Sequence, residues 1–134
     1  MNIEKIDHIS IATRDLEKAC KAYENILNIQ LTVKYSSDKE KIKVARYRVG
    51  DIWLELMEPI GEGDVSRFLD KHGEGIFVIS YKVSDVDCAM AELKQKGYKL
   101  IDNEPRRLLG SRYAFINHPR ELCGVLTEIL DDKG

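Results

Sequence analysis

Apolar and polar residues alternate from Lys5 to Thr13 in an isoleucine-rich stretch, and a period of two predicts a strand. The period then changes. Leu16, Ala19, Cys20, Tyr23, Ile26 and Leu27 recur at helical spacing, with Thr13 or Asp15 as N-cap and Asn28 ending the run. Leu31 to Tyr35 predicts a second strand, and Ser36 to Lys41 a polar turn. Ile42, Val44, Tyr47 and Val49 mark a third strand, Gly50-Asp51 a hairpin turn, and Ile52 to Met57 a fourth strand halted by Pro59. Val65, Phe68 and Leu69 suggest a short helix across the connection that starts at Gly61.

Most of this pattern occurs twice. Seventy positions after Ile6, Ile9, Ser10, Asp15 and Ala19 stand Ile76, Ile79, Ser80, Asp85 and Ala89. The shared offset makes the segment from Ile76 to Val83 a strand and Asp85 the cap of a helix carrying Val86, Ala89, Met90 and Leu93, stopped by Gly97. Tyr98 to Ile101 is then expected as a strand, Pro105 to Ser111 as a basic loop, and Tyr113 to Ile116 as a strand. Asn117-His118-Pro119-Arg120 is expected to turn the chain, Val125 to Leu130 to close the sheet, and residues 131–134 to fray. A unit that appears only twice is a paired module, not a solenoid. The expected fold class is α+β: two tandem βαβββ modules, about residues 4–59 and 75–130, in one domain over residues 1–134. One column of the repeat differs in kind, for His8 has Val78 as its counterpart.

Composition narrows the function classes without choosing among them. A formal net charge of -2 with 33 % charged residues gives no basic surplus for nucleic acid or an anionic membrane. No apolar run approaches the roughly 20 residues of a membrane span, and the N-terminus has no signal-peptide core. Cys20, Cys88 and Cys123 are odd in number and lack a C-x-x-C pair, which points to a reducing cytoplasm. Each is expected as a small core residue.

Two glutamates interrupt apolar strands. Glu55 lies in Trp53-Leu54-Glu55-Leu56-Met57, and Glu128 in Leu126-Thr127-Glu128-Ile129-Leu130, the last strand of each module. On alternating strands either could face solvent. If buried, an ionised carboxylate requires a cation, a proton or a metal. Two curved sheets related by a pseudo-twofold would bring matched positions to face each other across a cleft. His8 with Glu55 and Glu128 is a donor set suited to a divalent ion such as zinc, nickel, cobalt or manganese.

The segments Ile6-Asp7-His8-Ile9-Ser10-Ile11-Ala12, Glu55-Leu56-Met57-Glu58-Pro59, Gly73-Glu74-Gly75-Ile76, His118-Pro119 and Gly124-Val125-Leu126-Thr127-Glu128 together resemble methylmalonyl-CoA epimerases. These belong to the vicinal-oxygen-chelate superfamily, with glyoxalase I, bleomycin-resistance proteins and extradiol dioxygenases. The resemblance implies a metal held by one side chain from each of four strands, with His8, Glu55 and Glu128 at three of them. At the fourth, a histidine pair in the family reads Phe77-Val78 here. It further implies 1,1-proton transfer through an enediolate, with Glu128 and Glu55 as acid/bases, an acyl-CoA substrate and a homodimer.

A glyoxalase I-type lyase shares the chemistry and is favoured by Glu at position 55. A metal-free binding protein of the bleomycin-resistance type would suit an apolar pocket lined by Phe77 and Val78. His72 is expected in a loop, and neither it nor His118 as a ligand. Arg46, Arg48, Arg106, Arg107, Arg112 and Arg120 are candidates for holding coenzyme A phosphates or for a solvated basic face. Trp53 is expected on the face opposite Glu55, towards a helix or a partner subunit.

Overall fold

In the computed structural model, residues 1–116 and 119–134 are described, and the changes of period become elements. The first set is β1 (Ile3–Ala12), α1 (Leu16–Leu27), β2 (Leu31–Ser37), β3 (Ile42–Val49), β4 (Ile52–Pro59) and α2 (Asp64–His72). The second is β5 (Gly75–Val83), α3 (Val86–Gln95), β6 (Arg106–Leu108), β7 (Ser111–Ile116) and β8 (Thr127–Asp131). The chain forms two compact units, His8–Phe77 and Met1–Asp7 with Val78–Gly134. Strand order is β2-β3-β4-β1 in one and β5-β8-β7-β6 in the other. In each, the first strand runs parallel to the last, and the other pairs are antiparallel. The fold is α+β, built of two βαβββ arrangements.

The two helices that follow β1 and β5 are anchored by the same device. Asp15, in extended conformation, accepts a hydrogen bond from the Lys18 N–H at 3.1 Å, and Asp85 accepts one from Cys88 N–H at 3.0 Å. A carboxylate three residues beyond each strand glutamate accepts from the first helical N–H: Glu58 from Leu16 and Asp131 from Val86, both at 2.7 Å. Negative charge there answers the helix dipole as well as an orphan donor. Leu16 and Cys20 of α1 then pack on Ala45, Tyr47 and Leu56. Buried Tyr47 donates its hydroxyl to Glu24 at 2.8 Å; burial, then neighbouring Cys20 and Glu24, pushes the phenol pKa up. In the second unit Val86, Ala89, Met90 and Leu93 of α3 pack on Val83, Ala114 and Ile129. Each large side chain so buried contributes about 1.5–3 kcal/mol.

Asp131 is also the centre of an ion-pair network. Arg112 donates Nε to its Oδ1 at 3.1 Å, Nη2 to its Oδ2 at 2.5 Å and Nη1 to Asp87 at 2.6 Å. Burial pushes the Asp131 carboxyl up, but Arg112 and the N–H groups of Val86 and Lys133 together bring it below the ordinary value. The Cys88 N–H, then Lys133, hold Asp85 at about 2 against an ordinary 3.8. Hydrogen bonds that it donates to Asp131 and then Asp87 raise the Arg112 guanidinium above its ordinary value. It is charged throughout the acid range and adds no pH dependence there.

A carboxylate whose pKa is depressed on folding stabilises fully above its unfolded pKa and loses that contribution as pH falls through the folded one. For Asp85 the window lies between 3.8 and about 2. Urea midpoints should therefore be flat above about pH 5 and fall below pH 4. An Asp85→Asn, Asp131→Asn double variant should show a shallower acid slope; an unchanged slope would assign it to other groups.

The structure departs from expectation in several places. Tyr98 to Ile101 is no strand and makes one isolated bridge, Leu100 to Ile116. Its place is taken by β6, inside the segment expected as a basic loop. Leu109 and Gly110 both adopt positive φ (50° and 84°), which suits the twist of a two-residue hairpin and lets Arg106–Leu108 zip onto Tyr113–Ser111. Leu-Gly lacks the usual Asn-Gly signal, so the hairpin was hidden. The tail does not fray at Asp131, which ends β8 and is 1 % exposed, and Lys133 binds Asp85. Only Cys20 is buried; Cys88 and Cys123 are exposed. His72 ends α2, its ring 5.0 Å from Phe68. Asn117 and His118 lie outside the described residues, as does the side chain of Arg120. Among the described residues no helix is long and apolar enough to cross a membrane.

Candidate active site

The strand registers decide which side chains meet. In the first unit Ser10 is paired with Glu55, His8 with Trp53, Arg46 with Glu55 and Arg48 with Trp53. Side chains alternate along strands, so His8, Ser10, Trp53, Glu55, Arg46 and Arg48 share the face turned away from α1. Trp53 therefore lies on the same face as Glu55, not the opposite one, because residues two apart on a strand point the same way. Both guanidinium groups sit over its ring, Arg46 at 4.1 Å and Arg48 at 4.7 Å.

Glu55 is 4 % exposed and both of its oxygens are engaged. Ser10 Oγ donates to Oε1 at 3.1 Å, and His8 Nε2 lies 3.6 Å from the same oxygen. Arg46 Nε stands 2.8 Å from Oε2, yet it is buried and lacks the alignment of a hydrogen bond. The burial that would be costly for a lone carboxylate is offset by a guanidinium and a hydroxyl.

The second unit repeats the arrangement with one substitution. Ser80 is paired with Glu128, and its Oγ donates to Oε1 at 2.6 Å. Glu128 is 7 % exposed, so neither glutamate faces solvent. Phe115, opposite Glu128 on β7, carries the Arg106 guanidinium at 4.9 Å from its ring, and Asp102 binds Arg106 at 2.7 Å. Val78 stands two residues before Ser80, as His8 stands two before Ser10, on the face of Glu128. It is buried and offers no donor. Phe77 precedes it on the strand and points to the other face, where it meets Phe68 edge-on at 5.2 Å. The two cannot line one pocket. Arg112 is likewise no phosphate candidate, since Asp131 and Asp87 occupy it.

Of the expected site residues, His8 and Glu55 come together in one unit, and Glu128 belongs to the other beside Ser80. Among the described residues, no three His, Cys, Asp or Glu side chains gather closely enough to hold a metal ion.

The sequence profile of the glyoxalase/bleomycin resistance protein/dioxygenase superfamily matches residues 7–115. The chain belongs to that superfamily. Within it, the chain is 34 % identical to an uncharacterized protein of Bacillus subtilis, YqjC, over 98 % of this chain and 95 % of that one. It is 29 % identical to the ethylmalonyl-CoA/methylmalonyl-CoA epimerase of Cereibacter sphaeroides, over 95 % of this chain and 97 % of the relative. Among solved structures it is similar to a variant methylmalonyl-CoA epimerase of Streptomyces coelicolor in complex with 2-nitronate-propionyl-CoA. That likeness has a TM-score of 0.91, 30 % identity, and covers 99 % of this chain and 100 % of the other.

Sequence reasoning missed the serines. Ser10 and Ser80 are identical across the repeat, and each turns out to hold the glutamate of the partner strand. That identity was the available signal. It missed the pairing of Arg46 with Glu55 because the pairing depends on the β3–β4 register.

Proposed function

We propose that the protein is an epimerase-like isomerase that moves the proton on the carbon next to an acyl-CoA thioester from one face to the other. The observation that carries this reading is the pair of buried Ser–Glu dyads at matched positions of a chain similar end to end to methylmalonyl-CoA epimerases. Glu128 and Glu55 are the proposed acid/bases. One carboxylate takes the α-proton and leaves an enolate, and an acid on the opposite face returns a proton to the same carbon. The serine hydroxyls each hold one oxygen of a glutamate in place. By the same resemblance the protein acts as a homodimer.

His8, Glu55 and Glu128 are the proposed ligands of a divalent ion. Two ligands with bonds of about 2.1 Å to one tetrahedral ion stand about 3.4 Å apart, close to the 3.6 Å between His8 Nε2 and Glu55 Oε1. His8 and Glu55 therefore fit as two donors to one ion, while Glu128, in the other unit, enters the proposed set by the resemblance alone. An ion held by these residues would supply positive charge to stabilise the negative charge that develops on the thioester oxygen. Val78→His would set an imidazole beside Glu128 as His8 stands beside Glu55. Protein purified without chelator should then hold metal more tightly than the native chain, by about tenfold or more. Equal metal content and affinity in the two proteins would show that a histidine at position 78 does not reach the proposed ion.

The proposal is tested by incubating methylmalonyl-CoA with the protein in deuterated water and following deuterium at the α-carbon by mass spectrometry. Incorporation above the uncatalysed rate supports it. No incorporation, with isomerisation of the hemithioacetal of methylglyoxal and glutathione, would decide for the lyase reading. Neither activity would leave the metal-free binding reading, which Arg46 favours by supplying Glu55 with a cation of the chain's own.

A further inference from the structure

We infer that Arg46 and a divalent cation compete for the Glu55 carboxylate, so that Arg46 sets how tightly the first unit holds metal. The inference rests on the proposed ligand role of His8 and Glu55 and adds a regulator that role does not require. Arg46 Nε lies 2.8 Å from Oε2, on the side of the carboxylate away from the Oε1 that faces His8 and Ser10. A cation between His8 and Glu55 would thus sit a few ångströms from a fixed guanidinium, in a place too buried for solvent to screen the repulsion. Arg48 adds a second positive charge above the same tryptophan.

The attachment of Arg46 is also of a displaceable kind. Guanidinium and carboxylate bind most strongly through aligned, paired N–H bonds. Here Nε is buried and close but makes no hydrogen bond. Charge and the Trp53 ring, 4.1 Å from Cζ, keep the guanidinium in place. A divalent ion brings twice the charge to the same carboxylate, and one of the two cations must yield. His8 and Glu55 are thereby held apart from metal at low concentration, and Glu55 remains a neutralised carboxylate instead of an unpaired one.

The test uses chelator-stripped full chain and cobalt(II) chloride, with binding followed by titration calorimetry and by the visible spectrum of the bound ion. Arg46→Met should bind cobalt at least about tenfold more tightly than the native chain. Adding Glu55→Gln should abolish the gain. Arg46→Gln removes the charge while keeping a hydrogen-bond donor near Glu55; it should show the same gain and serves if Arg46→Met does not fold. Tight binding by the native chain, unchanged in either variant, would overturn the competition and leave the ligand reading standing. Failure of native and variant chains alike to bind cobalt would sink both. A gain that survives Glu55→Gln would also overturn it, since the carboxylate would then not be the contested group.

Discussion

Glu128→Gln is expected to slow α-proton exchange into a methylmalonyl thioester by about 10²–10⁴-fold, the contribution typical of a positioned general base. Glutamine keeps the volume of the side chain, and its amide oxygen can still accept from Ser80, 2.6 Å away in the native chain. The variant should therefore fold normally, with an unchanged urea midpoint, and separate loss of chemistry from loss of structure. Glu55→Gln should lose activity too, but it also releases Arg46 from its carboxylate. Deuterium incorporation measured for both variants at saturating substrate checks the assignment. An exchange rate within threefold of native for Glu128→Gln would remove that residue from the chemistry.

The largest stability effect is expected at Asp131. It is almost fully buried and holds two donors of Arg112, the first N–H of α3 and the N–H of Lys133. Asp131→Ala would leave these donors without an acceptor, the guanidinium among them, and should cost about 3 kcal/mol or more. The neighbouring Asp87 offers a control. It binds the same guanidinium at 2.6 Å, but its side chain is 62 % exposed. An exposed partner is worth about 0–1 kcal/mol, so Asp87→Asn should move the urea midpoint little. Similar losses in the two variants would mean that burial is not what makes Asp131 count.

Much of this protein could be read from pattern. The change from period two to helical spacing at Leu16 and again at Val86 marks real strand–helix junctions, and Asp15 and Asp85 cap as their positions predict. These features are legible because they depend on neighbours within a few residues. The seventy-residue offset carried the pairing of modules, and the place of Glu55 and Glu128 in the last strand of each carried the expectation that the two correspond. What failed were features whose determinants are distant or atypical. Leu109-Gly110 turns a hairpin without the usual residues, so the linear pattern of β6 reads as a loop. Arg112 sat among basic neighbours in sequence, while the β7–β8 pairing sets it opposite Asp131.

The sequence by itself determined the repeat, every element but β6 and the two glutamates that interrupt apolar strands, since these are linear patterns of residue type, while the superfamily came from resemblance. Only the tertiary structure decided which groups partner those glutamates in the interior. Ser10, Ser80 and Arg46 reach them through strand register, and register is fixed by which face of each strand must cover its helix. A slip of one residue would turn Arg46 to the helix face and Ala45 to the carboxylate. The packing of α1 on Ala45, Tyr47 and Leu56 forbids that slip, and by forbidding it holds Arg46 beside Glu55.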